Sequence, residues 1–127
     1  MSEIRATTIS DAAGTGPITL TGQSAAKAWV NFNGSGTIAT RDSVNVASLT
    51  DNGTGNYSVN FSNSMGNASY SYAASSNGGS SSYIREAQQG TVSSGSFSYL
   101  AKYWSGITTA NADDALYQNV AIHGDLA

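Results

Sequence analysis

The stretch from residue 28 to residue 61, AWVNFNGSGTIATRDSVNVASLTDNGTGNYSVNF, constrains the fold more than any other part of the chain. Apolar residues recur there at every second position. Ala28, Val30 and Phe32 fall on one face of an extended segment, with Trp29 and Asn31 on the other. Val44 and Val46 share a face. Tyr57, Val59 and Phe61 share another, with Ser58 and Asn60 pointing away. Alternation of this kind marks a half-buried strand. Between the runs sit Asn33-Gly34-Ser35-Gly36 and Asp51-Asn52-Gly53-Thr54-Gly55. Asn-Gly supplies the positive φ angles that tight hairpins demand, so both clusters read as hairpin connections. The stretch is expected to form an antiparallel β-meander.

The rest of the chain continues the pattern. Residues 2–20 read as an extended arm in which Ile4, Ala6 and Thr8 alternate with Arg5 and Thr7. A Gly-rich turn holding Pro17 then leads into a short Ile18-Thr19-Leu20 strand. The arm is too poor in apolar residues to form its own unit. It is expected to lie on a neighbouring subunit or a docking partner, or to pair as a terminal strand of its own domain. Residues 1–22 are therefore assigned to an attachment arm, with Ile4, Arg5, Thr8, Ile18 and Leu20 as its contact residues, and residues 23–127 to one β-domain.

Within that domain Tyr70 and Tyr72 alternate with serine, and SSNGGSSS (75–82) reads as a low-complexity exposed loop. A strand is predicted over 83–89, where Arg85 and Glu86 offer a surface charge pair. Phe97, Tyr99 and Ala101 share a face, opposite Leu100. SGITTANADD (105–114) reads as a second polar loop. A last strand is predicted over 115–122, with Leu116, Val120 and Ile122 inward. Eight or nine short strands without a convincing helix argue an all-β chain: an antiparallel β-sandwich or jelly-roll-like domain.

Composition sharpens the picture. Leu, Ile, Val and Phe together make up only 21 of 127 residues, a level at which disorder becomes a concern. Disorder, however, usually goes with high net charge, and the formal charge here is −3. Seven Tyr and two Trp remain for packing, so the chain is expected to fold yet to be short of core. Small domains bury a smaller fraction of their surface than large ones. Burial against further copies of the chain, a homo-oligomer, is the expected remedy. There are no cysteines for disulfides or Cys-based metal sites. No apolar run reaches the length of a membrane span, and no basic-then-apolar leader opens the sequence, which argues against membrane insertion. The five basic residues are scattered and form no stripe for nucleic acid.

Chemistry-bearing motifs are sparse. The single histidine, His123, follows the last apolar run without a Gly-x-Ser-x-Gly elbow anywhere in the chain. Most carboxylates stand beside predicted turns, where Asp bonds to its own backbone. Asp51 to Asn56 alternates oxygen-bearing residues like a calcium loop but lacks the closing bidentate Glu. No catalytic, metal-ligating or cofactor-binding residue is assigned. The aromatics Tyr70, Tyr72, Tyr83, Tyr103 and Trp104 are the candidates for ligand or subunit contact, since such rings stack on sugars and are enriched at interfaces.

Two stretches carry a resemblance. The opening SEIRATTISDAAGTGPITLTGQSA resembles the N-terminal arm common among phage tail-fibre and other virion proteins. AKAWVNFNGSGTIATRDSVNVASLTDNGTGNYSVNF is similar to a β-domain widespread in structural proteins of marine tailed phages, above all in WVNF followed by SLTDNGTGNYSVNF; the ending NVAIHGD is similar to that domain's last strand. The resemblance implies a trimeric virion surface component and not an enzyme, either a capsid decoration or cement protein or a short fibre component. Its implied partners are copies of itself and other virion proteins such as the major capsid or tail proteins. The rival from another class is a carbohydrate-binding module of a tail fibre that recognises a host surface glycan, with Tyr103, Trp104 and the Tyr-flanked loop as its platform.

Overall fold

The computed structural model describes residues 25–78, 83–106 and 108–127. The attachment-arm residues Ile4, Arg5, Thr8, Ile18 and Leu20 lie outside them. Among the described residues there are nine strands: Ala28–Asn33 (β1), Ala39–Val44 (β2), Val46–Asp51 (β3), Asn56–Phe61 (β4), Ser71–Asn77 (β5), Ile84–Val92 (β6), Ser96–Trp104 (β7), Ala110–Ala112 (β8) and Tyr117–His123 (β9). They form two antiparallel sheets, ordered β2-β1-β9-β5 and β3-β4-β7-β6, with β8 added to β7. The expected β-sandwich is what forms.

The alternation in the sequence becomes the division between inside and outside. Ala28, Val30 and Phe32 of β1, Tyr57, Val59 and Phe61 of β4, and Phe97, Tyr99 and Ala101 of β7 are all buried. So are Val120 and Ile122 of β9. Aromatic rings bridge the two sheets. Phe32 meets Tyr57 edge-on at 5.2 Å, and Tyr72 meets Phe97 at 4.5 Å. Tyrosine thus takes the place of the missing aliphatics. Burying its hydroxyl is tolerable because each has a partner. Tyr57 donates to Gly34 O and Asp114 Oδ1 at 2.9 and 2.8 Å, and Tyr99 to Gln118 Oε1 at 3.0 Å.

The expected meander is interrupted. β1–β2 and β3–β4 are hairpins as read, but β2 belongs to one sheet and β3 to the other. Asn45 stands between them at φ 55°, a left-handed conformation that Asn tolerates better than most residues. Its side chain holds the corner by bonding Asn63 N at 2.7 Å and Asn63 O at 3.0 Å. Val44 and Val46 therefore belong to different sheets and do not share a strand face.

Four further expectations are corrected. Ser75, Ser76 and Asn77 are the end of β5, which makes seven consecutive register pairs with β9, so these three are strand and not loop. The 105–114 loop contains β8. The last strand buries Gln118, while Leu116 is 38% exposed ahead of it; the Tyr99 hydroxyl makes a polar side chain the better occupant of that inward slot. Arg85 does not pair with Glu86, because successive strand residues face opposite ways; it forms an ion pair with Asp113.

Candidate functional site

The strand β7 carries the most informative surface. One of its edges is taken by β6 along its length. The other is shared by β4, opposite residues 96–100, and β8, opposite residues 102–104. Gly55 sits at the junction with φ 67°. Its N–H donates to Asp114 Oδ1 at 2.6 Å, the same oxygen that receives the Tyr57 hydroxyl. Burial first, and then Asp114, push the Tyr57 hydroxyl well above the usual tyrosine range. Burial does the same to Tyr99. These groups are clamps that hold the end of the sandwich and have no proton to exchange near neutral pH.

At this end of the sheet the β6–β7 ladder carries apolar side chains on both of its faces. Ile84 stands directly opposite Trp104 in the register, so the two share the outer face of the sheet. Ile84 is 75% exposed and Tyr83 53%. The Tyr83 ring lies 5.1 Å from that of Tyr103. On the inner side the Arg85 guanidinium stands 5.9 Å from the centre of the Tyr103 ring and pairs with Asp113. One row further along the outer face, Glu86 stands opposite Lys102, whose Nζ donates to Gln88 Oε1 at 2.5 Å. An apolar centre with a charged rim is the anatomy of a protein interface.

The five aromatics singled out in the sequence therefore divide. Tyr83 and Tyr103 pair on one side of the β6–β7 ladder, and Trp104 stands beside Ile84 on the other. Tyr70 and Tyr72 turn inward against the core. Tyr70 packs edge-on to Phe61 at 5.9 Å and donates to Ser93 O and Ser96 O, which ties the chain before β5 to the β6–β7 hairpin. Packing occupies both rings. Ile84 was not among the sequence candidates; its place opposite Trp104 brings it to the outer face.

The turn carboxylates have local duties. Asp51 Oδ1 accepts from Gly53 N at 2.9 Å, the ordinary bond of an Asx turn. Among the described residues, no three His, Asp or Glu side chains converge to hold a metal ion.

A second surface feature, absent from the sequence reading, lies on the outer face of the four-stranded sheet. There β1, β9 and β5 form a shallow groove of about 390 Å³, lined by Trp29, Asn31, Ala73, Ser75, Asn119 and Ala121 among others. Its residues come from three separate parts of the chain and meet only through the register of the sheet.

Comparison with protein-family models, curated proteins and solved structures finds no match.

Proposed function

We propose that this chain is a structural protein of a tailed-phage virion surface that works as a homotrimer, as a capsid decoration or cement protein or a short fibre component. The observation that carries the reading is the outer face at the end of the β6–β7 ladder, where the exposed Ile84 stands beside Trp104 with Glu86 and Lys102 in the next row. Exposed apolar clusters rimmed by charge are typical of subunit contacts. The resemblance of WVNF and SLTDNGTGNYSVNF to phage structural domains supports the same assignment.

The mechanism is attachment by area and number. Each patch joins copies, and the arm at residues 1–22 engages a neighbour or another virion protein. Weak single contacts become firm when several are linked, because each later contact forms at high effective concentration. Trp104 is assigned to subunit contact in this reading, and not to a sugar platform; Tyr103 stands on the opposite face of the strand, against Tyr83 and Arg85.

The test is particle binding. The full chain, mixed with phage particles that lack it, should co-sediment with them, and imaging should place threefold density on the head or the tail. Many copies on the head fit a decoration protein; few at the tail fit a fibre. A chain lacking residues 1–20 should keep the β-sheet circular dichroism spectrum but stay in the supernatant. Attachment that survives this deletion contradicts the anchoring role.

A further inference from the structure

The groove on the outer face of the four-stranded sheet is built differently from the β6–β7 patch. One row across the sheet runs Trp29, Ala121 and Ala73, which are direct register partners on β1, β9 and β5. The next row is Asn31, Asn119 and Ser75. The first is a low apolar floor with an indole as its wall; the second is a polar rail. We propose that this groove binds an uncharged saccharide, with Trp29 as stacking wall and Asn31, Asn119 and Ser75 as hydroxyl partners.

Size fits first. Three strands spaced about 4.8 Å apart span about 10 Å, and successive rows on one face lie about 7 Å apart. The groove volume of about 390 Å³ falls at the lower end of small-ligand sites. That suits a disaccharide-sized ligand lying flat on the two alanines. A sugar ring has an apolar C–H face and a hydroxyl rim, which matches an aromatic face beside a row of amides.

The rail is preset. Arg41 Nη1 reaches Asn31 Oδ1 at 3.5 Å, Asn31 Nδ2 donates to Asn119 Oδ1 at 2.5 Å, and Asn119 Nδ2 lies 3.4 Å from Ser75 Oγ. All donors point the same way along this chain, an arrangement in which each bond polarises the next. Each amide nitrogen carries two hydrogens, so a second N–H on Asn31 and Asn119, and the Ser75 hydroxyl hydrogen, can meet a ligand without breaking the rail.

Charge and backbone narrow the class. Among the described residues lining the groove none is charged. Arg41 and Asp42 flank its Asn31 end with opposite charges, Arg41 bound to Leu116 O and Asp42 to Ser43 N. This favours an uncharged ligand over a phosphate or carboxylate. β1 and β9 are paired along both edges and β5 ends the sheet, so an extended peptide finds no free backbone beside Trp29 or along the middle of the groove. The inference goes beyond the assembly reading and does not depend on it.

The test uses the full chain with Trp104→Phe, which leaves Trp29 as the only tryptophan. Maltose, cellobiose, lactose and chitobiose are titrated while indole emission is followed, and the Asn31 and Asn119 side-chain amide signals are followed by NMR in the unaltered chain. At least one sugar should give a saturable change in both, with a Kd on the order of 1 mM. Ala121→Leu fills the floor from the solvent side. It should weaken that binding about tenfold or more with little change in thermal midpoint. Absence of a saturable response to every sugar overturns the proposal, as does a response that survives Ala121→Leu. Tighter binding of a sialylated sugar overturns the uncharged class. A change in oligomeric mass on Ala121→Leu, without any sugar response, makes the groove a contact between copies and overturns it too.

Discussion

Replacing Tyr57 by Phe isolates the clamp at the end of the sandwich. The ring stays, and with it the contacts to Phe32 at 5.2 Å and Tyr99 at 5.9 Å. Only the hydroxyl is lost, together with its bonds to Gly34 O and Asp114 Oδ1. Tyr57 is fully buried, so no water replaces the donor. A hydrogen bond to a charged acceptor contributes about 1.5–3 kcal/mol net. Asp114 keeps its bond from Gly55 N, which favours the middle of that range, about 2 kcal/mol. For a domain of this size that lowers the thermal midpoint by about 10 °C. Urea unfolding at fixed protein concentration should show a lower midpoint with an unchanged slope. Asp114→Ala should cost more, since Gly55 N loses its acceptor as well, and the two changes should be non-additive by about 1 kcal/mol or more. A Tyr57→Phe effect below about 0.5 kcal/mol, or strict additivity, refutes the clamp.

Other outcomes follow from the same structure. Tyr57 and Tyr99 titrate above the ordinary tyrosine value of 10.0 in the folded chain. The unfolded chain therefore loses these protons first, and stability, intact below about pH 10, should fall above it by about 1.4 kcal/mol per pH unit for each tyrosine; a flat denaturation profile from pH 9 to 11 would contradict their burial. Gly55→Ala puts a Cβ against Ala101 O and 2.7 Å from Asp113 N at a positive φ, and should cost about 2 kcal/mol or more by urea unfolding. Asn45→Ala removes the three side-chain bonds to Asn63 and should cost about 1–2 kcal/mol, while Asn45→Gly, which relieves the φ but still loses the bonds, should recover part of it.

The strands that sequence reading placed best were those whose inward residues are apolar without exception. β1, β4 and β7 each present three such residues at alternate positions, so local pattern and burial agree. It failed where the occupant of an inward slot is polar for a reason set elsewhere. Gln118 is buried because Tyr99, from a different sheet, donates to it; Leu116 took its place in the sequence reading only because it is apolar. Ser75, Ser76 and Asn77 form strand because β9 supplies their backbone partners, not because serine favours sheet. Ala110–Ala112 is likewise a strand by courtesy of β7. The sheet change at Asn45 left only one asparagine as its trace. Surface features were the least legible. Tyr83, Tyr103 and Trp104 could be named from residue type, but Ile84 needed its register opposite Trp104. The groove needed residues 29, 73 and 121 to be neighbours, which long-range pairing alone decides.

The central claim is that the chain acts through contact with its own copies, and its mass in solution tests this most directly. Light scattering on the eluting full chain should give three times the 13.0 kDa of one chain. Ile84→Glu, which sets a charge at the centre of the apolar patch, should weaken association about 30-fold or more and release folded single chains. A native chain that elutes as a 13.0 kDa species at every concentration, or a trimer indifferent to Ile84→Glu, would contradict the account.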